Sequence, residues 1–215
     1  MAATQPMRLL VLGATGATGR AVVTQALALG HRVTAFARRP EAVPGNLPME
    51  RLVRGSLPED REALSQALAG QDVVISALGR GLKLRAEGLM TRSVPILVES
   101  MERQGVRRLI FTSAFGVGDT WQDVPPLSRI FARLFLRDIY ADKTRGEEIL
   151  RRSALDWTLV YPTTLTNGAP TGHYRCGERL ALRGLPTMSR ADLAGFLLMQ
   201  VTDRRFSRRG VLVTG

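Results

Sequence analysis

The sequence predicts one α/β domain in which helices pack on both faces of a single, mostly parallel sheet. Three observations carry this. Short apolar runs at Leu9–Leu12, Asp72–Leu78 and Val106–Thr112 alternate with stretches of helical spacing. These runs lack the polar alternation of half-exposed strands, so they read as strands buried on both faces. The first run ends in glycines at 13, 16 and 19 and passes directly into a helical pattern.

Those glycines have separable roles. Gly13 lets the chain turn sharply out of the strand. Gly16, without a Cβ, allows a pyrophosphate to approach the backbone. Gly19 lets the new helix pack closely on the sheet. The free amides and dipole at that helix N-terminus favour an anion at the same point. Two residues separate the first two glycines, where the usual dinucleotide fingerprint has one.

The first helix spans roughly Ala17–Leu29 and stops at Gly30. His31–Ala37 is the second strand and ends in Arg38-Arg39-Pro40. An acidic residue at this strand end would bind the ribose 2′-hydroxyl of NAD. Two guanidinium forks instead suit a 2′-phosphate, which predicts NADP(H). Pro44–Pro48 is a loop, Glu50–Arg54 the third strand, and Pro58–Leu68 a helix closed by Gly70. The fourth strand, Asp72–Leu78, runs into Gly79-Arg80-Gly81. That turn is expected beside the glycine loop, at the carboxyl ends of the strands where ligands bind. A helix over Glu87–Gln104 should kink at Pro95.

Val106–Thr112 is the fifth strand and delivers Ser113 to the crevice where a nicotinamide would lie. Asp119–Pro126 is a loop. Leu127–Arg152 is a helix with Tyr140 and Lys143 on one face. Leu155–Tyr161 is the sixth strand. Pro162–Thr187 is a long connection, and such loops are usually functional. Residues 162–188 are expected to form a substrate-side lid. Ser189-Arg190-Ala191-Asp192 reads as a helix start with a reciprocal cap, the helix running to about Val201. Val211–Thr214 is the last strand. The predicted order is 3-2-1-4-5-6 with an edge strand. No repeat or linker divides residues 1–215.

With 215 residues and 45% apolar content, the chain can bury one sizeable core. It lacks an apolar run of about eighteen residues and the start of a signal peptide, so no membrane partner is expected. Cys176 is the only cysteine, which excludes an internal disulfide and fits a reducing cytoplasm. The net charge is +11, and every basic residue except Lys83 and Lys143 is arginine. The arginines are scattered, without a zinc-finger or helix-turn-helix pattern, so no specific nucleic-acid partner is expected. They read as a solvated surface or as a positive field that draws in anionic cofactor and substrate. His31 reads as a solvated turn residue. His173 and Cys176 are too few for a metal site.

Gly13-Ala14-Thr15-Gly16-Ala17-Thr18-Gly19, Thr112-Ser113-Ala114-Phe115, Tyr161-Pro162, Gly172 and the Ser189–Asp192 helix start resemble the atypical short-chain dehydrogenase/reductase family. Within it the likeness is to the NAD(P)H-binding flavin reductase and biliverdin-IXβ reductase group, with NmrA-like proteins more distant. The resemblance covers nearly the whole chain. It implies a Rossmann domain that binds NADPH and passes hydride to FMN, FAD or a linear tetrapyrrole. It implies a pyrophosphate cradle of Gly13, Thr15, Gly16, Ala17, Thr18 and Gly19, with Arg38 and Arg39 on the 2′-phosphate. Ser56 would lie near the adenine. Ala77, Leu78 and Gly79 would line the ribose and nicotinamide, and Pro162, Thr163 and Thr164 would wall the far side. The candidate catalytic residues are Ser113, Lys143 and Tyr140.

The sequence departs from the family pattern in three places. The usual catalytic tyrosine and lysine are four apart, whereas Tyr140 and Lys143 are three apart, so Tyr140 fits poorly as a proton donor. Lys143 suits the lysine of the atypical branch, on the ribose or in ordering the helix. Thr164 stands where biliverdin-type reductases carry a histidine, and Ser56 where relatives often have an aspartate.

Hydride transfer to an oxidised flavin needs stacking and closeness more than side-chain chemistry. A site poor in titratable groups is compatible with it. Two other readings are a redox sensor that binds NADP(H) without turnover, and a reductase, isomerase or epimerase of another small molecule. The last would need Tyr140. A monomer or weak homodimer is expected.

Overall fold

The computed structural model describes residues 5–43, 47–79, 87–125, 129, 136–182 and 184–215. The first half of the chain runs through β1 (Arg8–Leu12), α1 (Ala17–Ala28), β2 (Arg32–Ala37), β3 (Arg51–Arg54), α2 (Arg61–Leu68) and β4 (Val73–Ser76). It continues through α3 (Leu89–Arg103), β5 (Arg108–Thr112), α4 (Arg137–Arg152), β6 (Asp156–Pro162) and β7 (Thr164–Thr166). The last elements are β8 (Arg175–Gly177), β9 (Thr187–Ser189), α5 (Arg190–Met199) and β10 (Arg209–Thr214).

The main sheet has the order β3-β2-β1-β4-β5-β6-β10-β8. Its pairs are parallel except β8 on β10. On β1, Leu10 pairs with Thr34 of β2 on one side and Val74 of β4 on the other. The chain thus builds outward from β1 to β3, then returns to β4. Connections diverge at that reversal and leave a crevice at the carboxyl ends of β1 and β4.

Both sheet faces are covered, which is why the strands read as apolar runs. Leu9 and Val11 enter one core with Val22 and Ala26 of α1 and Leu193 and Leu197 of α5. Leu10 and Leu12 enter the other, with Leu64 of α2, Leu97 and Met101 of α3 and Leu150 of α4. Each such fully buried leucine is worth about 1.5–3 kcal/mol.

Several expectations are corrected. Residues 162–188 are not an unstructured connection. β7 pairs with β9, and β8 closes the edge of β10, with Cys176 opposite Val213. Short polar strands there satisfy backbone groups that an open edge would expose. Where a loop is expected from Asp119, a 3-10 turn covers Gly118–Asp123; the Thr120 hydroxyl accepts from the Gly116 amide and donates to the Val117 carbonyl. As expected, α3 contains Pro95, which lies on its exposed side, where water can meet the carbonyl a proline leaves unpaired.

His31 is buried, not solvated, and its Nδ1 accepts from the Met7 amide at 3.2 Å. Arg108 is not a surface arginine: its buried fork donates to the Gln200 carbonyl at 2.7 Å and pairs with Asp156. The cap of α5 is reciprocal through side chains. Ser189 Oγ accepts from the Asp192 amide and donates to Asp192 Oδ2 at 2.7 Å, and the same carboxylate also takes the amides of Thr171 and Gly172. The expected helical residues 127, 128 and 130–135, the turn residues Arg80 and Gly81, and part of the Pro44–Pro48 loop lie outside the described residues.

Candidate active site

The carboxyl ends of β1 to β4 enclose a cleft of about 530 Å³. The glycine loop forms one wall. Gly13 has φ +78°, and a Cβ on it would come within 2.6 Å of the Ala77 carbonyl oxygen. That close approach brings the exits of β1 and β4 together. A Cβ on Gly19 would run into the Gly13 carbonyl, so this glycine serves helix-to-loop packing. A Cβ on Gly16 would meet only the Gly13 carbonyl oxygen, at 3.3 Å. Gly16 itself is exposed to the cleft.

Gly16 is also the N-cap of α1. No side chain caps that helix, and its first turn holds no acidic residue. The orphan amides and the positive end of the dipole are left for an anion. Gly13, Thr15 and Gly16 line the cleft, whereas Ala17, Thr18 and Gly19 lie outside its lining. Ala77, Leu78 and Gly79 line it from β4.

Arg38 and Arg39, at the exit of β2, line the same cleft and are exposed. Among the described residues neither has an ion pair or side-chain hydrogen bond, although neighbouring cations do: Arg54 pairs with Glu41 and Arg92 with Glu59. Two cations without carboxylates at the rim of a cleft are arranged to meet a phosphate. Ser56 lines the cleft too. Its hydroxyl donates to Glu59, and its amide donates to Asp60 Oδ2 at 2.7 Å.

Ser113 sits one residue beyond β5 and is buried. Its hydroxyl donates to Glu147 Oε1 at 2.5 Å. Tyr161 of β6 donates to Glu147 Oε2 at 2.7 Å, and Arg151 donates to the Tyr161 oxygen at 3.1 Å. Arg151 also reaches Asp119 at 2.8 Å, so a chain of polar contacts runs from Ser113 to the surface. Burial pushes the Glu147 carboxyl up, opposed by hydrogen bonds from Ser113 and Tyr161 and by the charges of Arg151 and Lys143. Burial likewise lowers the Lys143 ammonium, against the pull of Glu147 and Asp142. Asp142 itself is committed elsewhere, accepting from the Met90 and Thr91 amides at the start of α3.

Tyr140 stands apart from this network. Its hydroxyl donates to the Phe115 carbonyl at 3.1 Å, and burial raises its pKa. Among the described residues no hydrogen bond joins Tyr140 to Lys143. Pro162 is buried and its carbonyl accepts from the Phe115 amide. The Thr163 hydroxyl donates to Thr214, and the Thr164 amide to the Pro186 carbonyl. The structure therefore joins the glycine loop, Arg38, Arg39, Ser56 and residues 77–79 in one cleft. It sets Ser113 and Lys143 around Glu147, and leaves Tyr140 and residues 162–164 outside both groups. Glu147 is the residue that sequence reasoning missed. Its one signal was the i, i+4 spacing from Lys143, which reads equally as a surface ion pair.

A family described as NAD(P)H-binding matches residues 13–204. The chain belongs to this NAD(P)H-binding family. The match starts at the first glycine of the loop and extends past α5, so it contains the whole cleft. Among curated proteins, this family member is 27% identical over 179 residues to an uncharacterized chloroplastic protein of Arabidopsis thaliana. The match covers 80% of this chain and 64% of that protein's length. Among solved structures, it superposes on a short-chain dehydrogenase/reductase of Veillonella parvula in complex with NADP, with a TM-score of 0.81 and 20% identity. That superposition covers 97% of this chain and 94% of the other. It also superposes on an anaerobilin reductase from Escherichia coli O157:H7, with a TM-score of 0.79, 21% identity and 96% of each chain covered. At these identities the structural likeness establishes the shared fold. Among the described residues, no helix of this NAD(P)H-binding protein is long and apolar enough to cross a membrane.

Proposed function

We propose that this chain is an NADPH-dependent oxidoreductase that passes a hydride to a flat conjugated acceptor, a flavin (FMN or FAD) or a linear tetrapyrrole. One observation carries this reading. A single cleft joins the uncapped N-terminus of α1 to Arg38 and Arg39, which have no ionic partner among the described residues. The two ends fit the two phosphate groups of NADPH. The amides of the glycine loop take the pyrophosphate oxygens, and Gly16 leaves their approach open. The two guanidinium forks take the 2′-phosphate that NADH lacks.

When bound, NADPH supplies the hydride, so the chain's own residues need to bind, orient and exclude water. Ala77, Leu78 and Gly79 line the ribose and nicotinamide, and Ser56 borders the adenine. Lys143 serves the ribose or orders α4. Ser113 keeps a hydroxyl oxygen that can accept from the nicotinamide amide or the acceptor while its proton is held by Glu147. Residues 162–188 form the substrate-side lid, with Pro162, Thr163 and Thr164 as its wall. The lone cysteine suits a reducing cytoplasm. The likeness to an anaerobilin reductase supports a bilin-type acceptor.

Loss of NADPH absorbance on addition of FMN, FAD or biliverdin tests the reading. Consumption with a flavin or bilin supports it. Tight NADP+ binding with no consumption would assign a sensing role instead. Turnover of another small molecule that Tyr140→Phe abolishes would assign the third class.

A further inference from the structure

A second cavity, of about 360 Å³, opens at the exit of β5. β4 and β5 are parallel neighbours, so this cavity lies on the same sheet edge as the dinucleotide cleft, one strand further along. Two glycines give it room. A Cβ on Gly116 would come within 2.9 Å of the Tyr140 ring, and one on Gly118 within 2.6 Å of Glu147 Oε2. Trp121 and Tyr140 line it and meet edge to face, with centroids 6.3 Å apart and planes at 88°. The bond from Tyr140 to the Phe115 carbonyl fixes the second ring. Paired, anchored rings offer a flat apolar face to a conjugated ligand.

The polar part of the lining is specific. Arg137, the first residue of α4, lines the cavity, is exposed, and has no ion pair or side-chain hydrogen bond among the described residues. Leu136, the N-cap of α4, offers no side-chain hydrogen bond, and the positive end of the helix dipole lies near Arg137. Asp138 lies in the same turn, but adjacent helical residues do not share a face. An aromatic wall beside one unpaired guanidinium suits a flat ring system bearing an anionic tail.

We infer that this cavity is the acceptor subsite and that Arg137 selects acceptors with a phosphate or carboxylate tail. The inference rests on the reductase reading and adds to it the charge of the substrate. The cavity is at the small end for ligand sites, so it takes a ring and one tail rather than a whole tetrapyrrole.

Binding in the presence of saturating NADP+ tests this without turnover. FMN is compared with riboflavin, which lacks the phosphate, and biliverdin with its dimethyl ester, which lacks the free carboxylates. Wild type should bind the anionic member of at least one pair about tenfold more tightly. Arg137→Ala should abolish that preference while holding riboflavin within about twofold, and Arg137→Lys should keep part of it. Preference within the flavin pair alone assigns phosphate, and within the bilin pair alone assigns carboxylate. Equal binding within both pairs, or unchanged FMN and biliverdin binding in Arg137→Ala, would overturn the inference. NADPH consumption judges the reductase reading separately. Turnover without dependence on Arg137 removes only the subsite, whereas Arg137-dependent binding without turnover removes the reductase reading and leaves an anion-selective ligand site in place of an acceptor subsite.

Discussion

The Ser113 hydroxyl donates to Glu147 Oε1 across 2.5 Å, so the residue at the exit of β5 is held by a buried carboxylate from α4. Tyr161 occupies the other oxygen. A carboxyl in this position keeps its proton more readily in the fold than in the unfolded chain, because burial disfavours its charge.

The sign of the pH effect follows. Between the unfolded value, about 4.3, and the raised folded value, the native state binds more protons than the unfolded one. The contribution of Glu147 to stability therefore falls as pH rises through that window. Glu147→Gln mimics the protonated form and should flatten this part of the profile. Denaturation midpoints for both proteins at a series of pH values check it, and identical slopes would refute the assignment.

Two glycine substitutions should separate binding from folding. Gly16→Val meets only the Gly13 carbonyl oxygen, at 3.3 Å, so it should cost less stability than Gly19→Ala while NADPH affinity falls at least about tenfold. Gly19→Ala drives a Cβ into the Gly13 carbonyl, and overpacking of this kind costs about 1–3 kcal/mol. Thermal melts with cofactor titrations distinguish the two.

Asp192 should control the lid. Burial alone would raise its carboxyl, but hydrogen bonds from Gly172, Ser189 and Thr171 outweigh this and hold it below the usual range. A depressed carboxylate contributes stability that is present above the unfolded value, about 3.9, and lost as pH falls through the folded one. Asp192→Asn should cost about 1–3 kcal/mol and speed hydrogen exchange at the Thr171 and Gly172 amides. Exchange unchanged at those amides would show that the contact does not order the segment.

Much of the fold and of the cofactor cleft could be read in the sequence because their signals are local. Leu9–Leu12 and the glycines after it lie within a dozen residues, and Arg38 and Arg39 directly follow their strand. The cleft residues expected from the sequence follow the ends of β1 to β4, so strand order brought them together. Glu147 was not readable because its role depends on Ser113, 34 residues away, and on Tyr161 from another strand. His31 and Arg108 look like surface residues until the Met7 amide and the Gln200 carbonyl are placed beside them. The segment 162–188 contains turn residues that signal a loop, and only its pairing with β9 and β10 makes it ordered.

The central claim is that one cleft grips the pyrophosphate with residues 13–16 and the 2′-phosphate with Arg38 and Arg39. Titration calorimetry of NADPH and NADH into wild type and the Arg38→Ala/Arg39→Ala double variant tests it most directly. The double variant should lose about tenfold or more in NADPH affinity and stay within about twofold for NADH. Equal losses for both nucleotides, or no loss for either, would contradict the account.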